Sequence, residues 1–472
     1  MGNSLNKALD RGENDEILFN MIPRCNLEYR DNHKNTLLIK ACKYSKIKTA
    51  LELIKKHPHN LGHQNNAGNT ALIWAIMNRL DDVALALIYS GKSNPTAINN
   101  NGKTAIMYAI KKKMERVAMS LVDFKEVELK GLLLKACKKE MNKFAIKLIK
   151  IDPDNIDYRD PSGTTALMIA CFHNLSDVAL EIIDSGKGIN WMVNDNKNTA
   201  LLIACTKKMD DVALKLIKTG ESNPGTINND GLTALMIACV NKMEDVAVAL
   251  IATGESNPYH VYHKKTALLL ACNNGLERVA NDIIRSGDPL VELVIEKWYP
   301  PVKYINIATK KGYTALYLAC RNNMKEVANL LLDKKAEWTA LITSADTPLI
   351  WACKNEMKKV ALKLLKTNMC NVFKKDIYGN TARYYAKNMH SVIKKIDKII
   401  KSQNGPKISY RVNKIYVANN QCCICTSDII NQYALLGCGH SEICLDCIKH
   451  LTDHGALCPI CRLKFDGYVR IY

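Results

Sequence analysis

Seven cysteines and one histidine between Cys422 and Cys461 follow the spacing C-x2-C-x12-C-x-H-x3-C-x2-C-x10-C-x2-C. They are Cys422, Cys425, Cys438, His440, Cys444, Cys447, Cys458 and Cys461. Thiolates and imidazoles are the ligands Zn2+ prefers. It takes four of them tetrahedrally at about 2.0–2.3 Å, and an x2 spacing lets two thiolates reach one ion from a single tight turn. Eight ligands therefore predict two closed Zn2+ sites with no open position for a catalytic water. The ions are expected to build a small platform instead of acting as Lewis acids. Cys423, His450 and His454 fall outside the ligand spacing and are read as bystanders.

The C3HC4 order with C-x-H at its centre resembles the RING finger. A PHD finger would place its histidine one ligand later, and a LIM domain would begin its second pair with histidine after a longer gap. The resemblance implies interleaved sites, with Cys422, Cys425, Cys444 and Cys447 on one zinc and Cys438, His440, Cys458 and Cys461 on the other. RING ubiquitin ligases carry an aliphatic residue just before the second cysteine and proline after the seventh ligand. Ile424 and Pro459 stand there, with Leu451 as a third wall. By resemblance these form the apolar groove for an E2 conjugating enzyme. Arg462 follows the last ligand, where the family places the arginine that bonds both E2 and ubiquitin. A guanidinium suits that role because it is always charged and donates in several directions at once.

The tail CPICRLKFDGYVRIY is similar to the C-terminal RING of inhibitor-of-apoptosis proteins, which share C-G-H-x3-C and a Gly-x-Val-Arg-x-aromatic strand. The resemblance implies a RING-mediated homodimer in which Val469 packs and Tyr472 reaches the ubiquitin held by the partner. The family continues two residues beyond this aromatic, whereas Tyr472 is the last residue here. The other reading of the tail is a short edge strand closing the RING's own sheet.

The elements that must position this module and its targets are an internal repeat. T-A-L-x-x-A-C and its variants recur from TLLIKAC (Thr36–Cys42) to TARYYAK (Thr381–Lys387), with GLLLKAC (Gly131–Cys137) as a degenerate copy. The central alanine returns at Ala41, Ala75, Ala109, Ala136, Ala170, Ala204, Ala238, Ala271, Ala319, Ala352 and Ala386, mostly in steps of 33 or 34. The step of 27 to Ala136 marks a shortened unit, and the step of 48 to Ala319 an insert near Pro289–Lys303. Ala8 lies 33 before Ala41, giving about twelve units over residues 1–402.

Each unit reads as helix, turn, helix and extended loop. In Thr233–Gly254 the threonine caps a first helix (Thr233–Val240), Asn241–Glu244 turns, and a second helix closes at Gly254. Leu235, Val246, Leu250 and Ile251 are assigned to the gap between units. This period and grammar resemble ankyrin repeats, although the family's T-P-L-H has mostly Ala for Pro and an aliphatic or Met for His. Single units cannot bury their apolar faces, so stacking stabilises them. Twelve units predict a curved rod on the order of 100 Å long. No acid, base or nucleophile recurs on one face, so the rod is expected to hold a partner protein. Trp74, Tyr108, Trp351 and Tyr385 share a slot that often faces the concave groove; they are either binding residues or half-buried packing. The insert, with Trp298, Tyr299, Pro300 and Pro301, is either a partner-binding loop or a tolerated insertion.

Eight cysteines (Cys42, Cys137, Cys171, Cys205, Cys239, Cys272, Cys320 and Cys353) occupy the position after the repeat alanine. They read as small buried packing residues, and with zinc thiolates beside them they imply a reducing cytoplasm or nucleus. The net charge is +20, but residues 419–472 hold four Lys/Arg and five Asp/Glu, so the excess is scattered over the repeats. No DNA- or RNA-reading module accompanies it, which argues against nucleic acid and for acidic protein surfaces. No apolar run of 18 residues predicts a membrane span and no signal peptide is expected. Met1–Lys7 faintly resembles a myristoylation site, with Asn6 where Ser or Thr is wanted.

The expected fold is mostly α, an ankyrin-repeat solenoid (1–402), a linker (403–418, with S-Q-N-G-P at Ser402–Pro406) and a small zinc-bound α+β RING domain (419–472). The resemblance implies a RING-type E3 ubiquitin ligase that binds an E2, ubiquitin and a protein substrate. The alternative is a non-catalytic ankyrin/RING scaffold. The combination with Lys/Asn/Ile-rich repeats is also similar to ankyrin–RING proteins of large DNA viruses.

Overall fold

The computed structural model describes residues 2–124, 126–187, 192–287, 289–291, 302–336, 346–367, 370–403, 433–435 and 468–470. The chain forms two compact units, Met1–Asn257 and Pro258–Tyr472.

Among the described residues the first unit contains eight helix pairs, beginning with Gly2–Asp10 and Asp15–Met21 and ending with Ala234–Asn241 and Glu244–Ala252. The Thr36, Thr70, Thr165, Thr199 and Thr233 hydroxyls each accept from the N–H three residues on, at 3.1–3.2 Å. Each thereby satisfies one of the orphan donors of a helix start. Thr104 departs from this: its hydroxyl is buried and makes no cap. The repeat alanines are fully buried, as are Val83–Ala84 and Val212–Ala213 of the second helices, so paired helices approach closely. Leu235, Val246 and Leu250 are buried as expected, whereas Ile251 is only half-buried.

Helix bounds shift by a residue from the sequence reading. The helix after Thr233 runs through Asn241 because Lys242 ends it in the left-handed region, at φ 60°. The same turn carries Ser45, Arg79, Lys113, Glu140, Asn174 and Lys208 at φ 55–59°. The shortened unit starts at Gly131 (φ 69°), which has no side chain to cap the helix and whose own N–H donates to Asn155 Oδ1 at 2.8 Å. The loop tips are joined by backbone bonds from Asn66 to His33, Asn100 to Ala67, Asp195 to Ser162 and Asn229 to Asn196, at 3.0–3.1 Å.

Among the described residues the second unit contains four helix pairs, from Ala267–Asn274 and Glu277–Ser286 to Ala382–Tyr385 and His390–Gln403. The insert is stemmed by an antiparallel pairing of Leu290–Val291 with Val302–Lys303. It is anchored by buried Tyr304, whose hydroxyl donates to the Pro258 carbonyl at 2.7 Å. The last helix extends through Gln403, into the segment read as linker. Buried Val392 and Ile396 carry it there, and the helix-breaking pair Gly405-Pro406 comes only afterwards. Tyr433–Leu435 pairs antiparallel with Tyr468–Arg470, with Ala434 opposite Val469.

Candidate interaction sites and zinc module

The described strand pair brackets residues 436–467, and six of the eight predicted ligands fall in that stretch of sequence. The ligand side chains lie outside the described residues, as do Ile424, Leu451, Pro459, Arg462 and Tyr472. Val469 is placed by register alone, and the tail strand is part of a two-stranded sheet within the chain. Seven thiols and an imidazole at these spacings are a donor set that fits zinc. Among the described residues no other His, Cys, Asp or Glu group could hold a metal. The eight repeat cysteines are buried. Burial pushes the Cys42, Cys137, Cys171, Cys205, Cys239, Cys320 and Cys353 thiols up, to about 12 for Cys171 and Cys239, so these remain unreactive packing groups.

The four aromatic slots are half-buried, and three of them have internal hydrogen-bond partners. Tyr108 accepts from Asn99 Nδ2 at 3.2 Å. Trp351 Nε1 donates to the Tyr317 hydroxyl at 3.3 Å. The Tyr385 hydroxyl donates to Asp376 Oδ2 at 2.7 Å. Lys354 lies 4.8 Å from the ring centroids of both Trp351 and Tyr385, and bridges Asp346 at 3.0 Å and Asp376 at 3.2 Å. Burial pushes the Asp376 carboxyl up. Hydrogen bonds from Tyr385, the Asn380 and Tyr378 N–H groups and Lys354 outweigh it and hold the pKa down at about 2. Packing accounts for these aromatics. Trp74 differs, since its Nε1 is buried with no hydrogen-bond partner among the described residues.

In the second unit the same slot forms a charged network that the sequence reading missed. The turn motif is visible in hindsight. Asp31, Asp160 and Asp376, or Asn65, Asn99, Asn194 and Asn228, open the loop tip and accept the N–H four residues on at 2.8–3.0 Å. At Lys40 the slot holds a buried cation, bound to Asn6 Oδ1 at 2.6 Å and Asp10 at 2.7 Å.

A family model for ankyrin repeats (3 copies) matches residues 5–97, 132–224, 203–288 and 280–376. A second, for the C3HC4-type zinc finger (RING finger), matches residues 418–468. The chain belongs to the ankyrin-repeat proteins and carries a C-terminal RING finger. Ankyrin repeats mediate protein interactions, and RING fingers bind zinc and engage E2 enzymes. No protein of curated function matches the sequence. Among solved structures, the human ASB11 ankyrin repeat domain is 19% identical, covers 53% of this chain and 100% of its own, and has a TM-score of 0.33. A structure of the Bd0816 predatory endopeptidase from Bdellovibrio bacteriovorus with immunity protein Bd3460 is 22% identical, with 40% and 99% coverage and a TM-score of 0.32. No helix of the described residues is long and apolar enough to cross a membrane.

Proposed function

We propose that this chain is a RING-type E3 ubiquitin-protein ligase of a reducing intracellular compartment. In this reading the repeats, to residue 402, hold a protein substrate, and residues 419–472 position an E2 carrying ubiquitin. The observation that carries it is the match of the RING family model over residues 418–468, within which Ile424, Pro459 and Arg462 stand at the ligase positions.

Two Zn2+ ions would be held by Cys422, Cys425, Cys444 and Cys447, and by Cys438, His440, Cys458 and Cys461, supplying rigidity and no open coordination site. Ile424, Leu451 and Pro459 would dock the E2. Arg462 would donate to E2 and ubiquitin together, restricting the thioester to a pose that a substrate lysine can attack. Such positioning is where the rate gain arises, and no covalent intermediate forms on this chain. In a homodimer, Val469 would pack and Tyr472 of one copy would support the ubiquitin held by the other.

The test is incubation of zinc-loaded protein with E1, ATP, ubiquitin and a panel of E2 enzymes, beside Arg462→Ala. Chains formed by the wild type and reduced at least tenfold by the substitution are expected. No chains with any E2 would leave a non-catalytic scaffold.

A further inference from the structure

In eight of the ten helix pairs from the second to the eleventh, the residue after the buried Val-Ala step of the second helix (Thr-Ala and Phe-Ala in two of them) is aliphatic or Met. It is Leu51, Leu85, Met119, Ile146, Leu180, Leu214, Val248 and Leu362. In two consecutive pairs it is asparagine, Asn281 and Asn329. Both side-chain oxygens are buried, and neither has a hydrogen-bond partner among the described residues. Asn281 is only 6% exposed, and the Asn329 amide nitrogen is taken by the Lys325 carbonyl at 2.9 Å. An acceptor withdrawn from water without a donor destabilises the fold, and two in neighbouring pairs point to something that arrives from outside.

Both asparagines line one open groove of about 700 Å3 across the helices Glu277–Ser286, Lys325–Asp333 and Lys358–Lys366. Its rim carries Arg285, Lys359, Lys363 and Lys366 against Glu326 and Asp333. Of the four cations only Lys363 is in an ion pair among the described residues, with Asp333 at 2.7 Å. Leu330 and Leu362 supply an apolar floor.

We propose that this groove docks an acidic peptide segment of a partner protein. Its backbone or carboxamide N–H groups meet Asn281 Oδ1 and Asn329 Oδ1, and its carboxylates meet Arg285, Lys359 and Lys366. The site lies on the second helices, away from the aromatic slots of the first helices. It rests on the reading of the repeats as the partner-holding part, and it needs no E2 chemistry.

Random 12-residue peptides displayed on phage are selected on the immobilised, zinc-loaded full chain, and recovered peptides are measured by fluorescence anisotropy. Neither E1 nor E2 is present, so the ligase reading is tested separately. Asn281→Leu/Asn329→Leu restores the residue type of the other pairs and is expected to fold with an equal or higher thermal midpoint. The recovered peptides are expected to be rich in Asp and Glu, and to lose at least tenfold in affinity for this variant and for Lys359→Glu/Lys366→Glu. The proposal is overturned by recovery of no peptide, by peptides without acidic enrichment, by equal binding to wild type and variants, or by a lower midpoint for the leucine variant.

Discussion

Gly131 begins a helix without a side-chain cap. It stands where other units have threonine, with φ at 69°, and a Cβ there would lie 2.8 Å from Cε1 of Tyr158. Gly131→Ala therefore meets both a left-handed backbone and an aromatic ring. A loss of about 2 kcal/mol is expected by urea unfolding, partly recovered in a Tyr158→Ala background. Asp376 makes a prediction with a sign. Its carboxyl is buried, yet hydrogen bonds hold its pKa at about 2, below the ordinary 3.8. The stabilisation it gives is present above the ordinary value and is lost as pH falls through the folded one. Asn keeps an acceptor for the Tyr378 and Asn380 N–H groups but loses the charge. Asp376→Asn is expected to lower the thermal midpoint at pH 6, with the difference from wild type shrinking toward pH 2. A difference that stayed constant over this range would mean that the carboxylate charge is irrelevant. The RING finger was legible because metal coordination imposes a spacing on the ligands it expects. The Asp376 network was not, because its members come from three different loops and helices and meet only after folding.

At the scale of the element, the repeat is held by joints between pairs as much as by its apolar faces. Asn78, Asn241, Asn322 and Asn355 each donate their amide to carbonyls at the end of the preceding first helix, at 2.7–2.9 Å to Cys42, Cys205, Cys272 and Cys320. Those carbonyls otherwise accept longer bonds from the Ser45, Lys208, Gly275 and Asn323 N–H groups of the closing turn, at 3.3–3.4 Å. Asn355→Ala is expected to cost about 1 kcal/mol in urea unfolding, and Asn355→Asp, which has no amide donor, should not restore it. The turn beside these joints stores strain. Lys242 sits at φ 60°, a conformation that costs a side-chain-bearing residue about 1 kcal/mol, so Lys242→Gly is expected to raise stability by a similar amount. Threonine caps and the alternation of two helices were readable from T-A-L-x-x-A-C. The left-handed turn was not, because Asn174, Gly275 and Asn323 mark it in only three units, while Ser, Arg, Lys or Glu occupies the same position in the others.

For the whole molecule, the question is whether zinc holds up the repeats or only the RING. Repeat stability is a sum over units and their neighbours, while the binding free energy of a structural zinc is folding free energy for the module that holds it. The twelve helix pairs of the described residues bury alanine, leucine, valine and cysteine, and none of the eight predicted ligands lies among them. The period of 33 or 34 made this organisation legible from the sequence. Partner choice was less so, because it depends on surface positions that break the period at only one or two pairs. Chelation of zinc should therefore abolish any ubiquitin-chain formation while leaving the helical circular dichroism and its thermal midpoint within a few degrees of the loaded protein. Binding of the selected acidic peptides should also survive chelation, since Asn281, Asn329 and the rim cations owe nothing to the metal. A helical midpoint that fell steeply on chelation would make the RING part of the stability of the repeats, and would require the two functions to be treated as one folding unit.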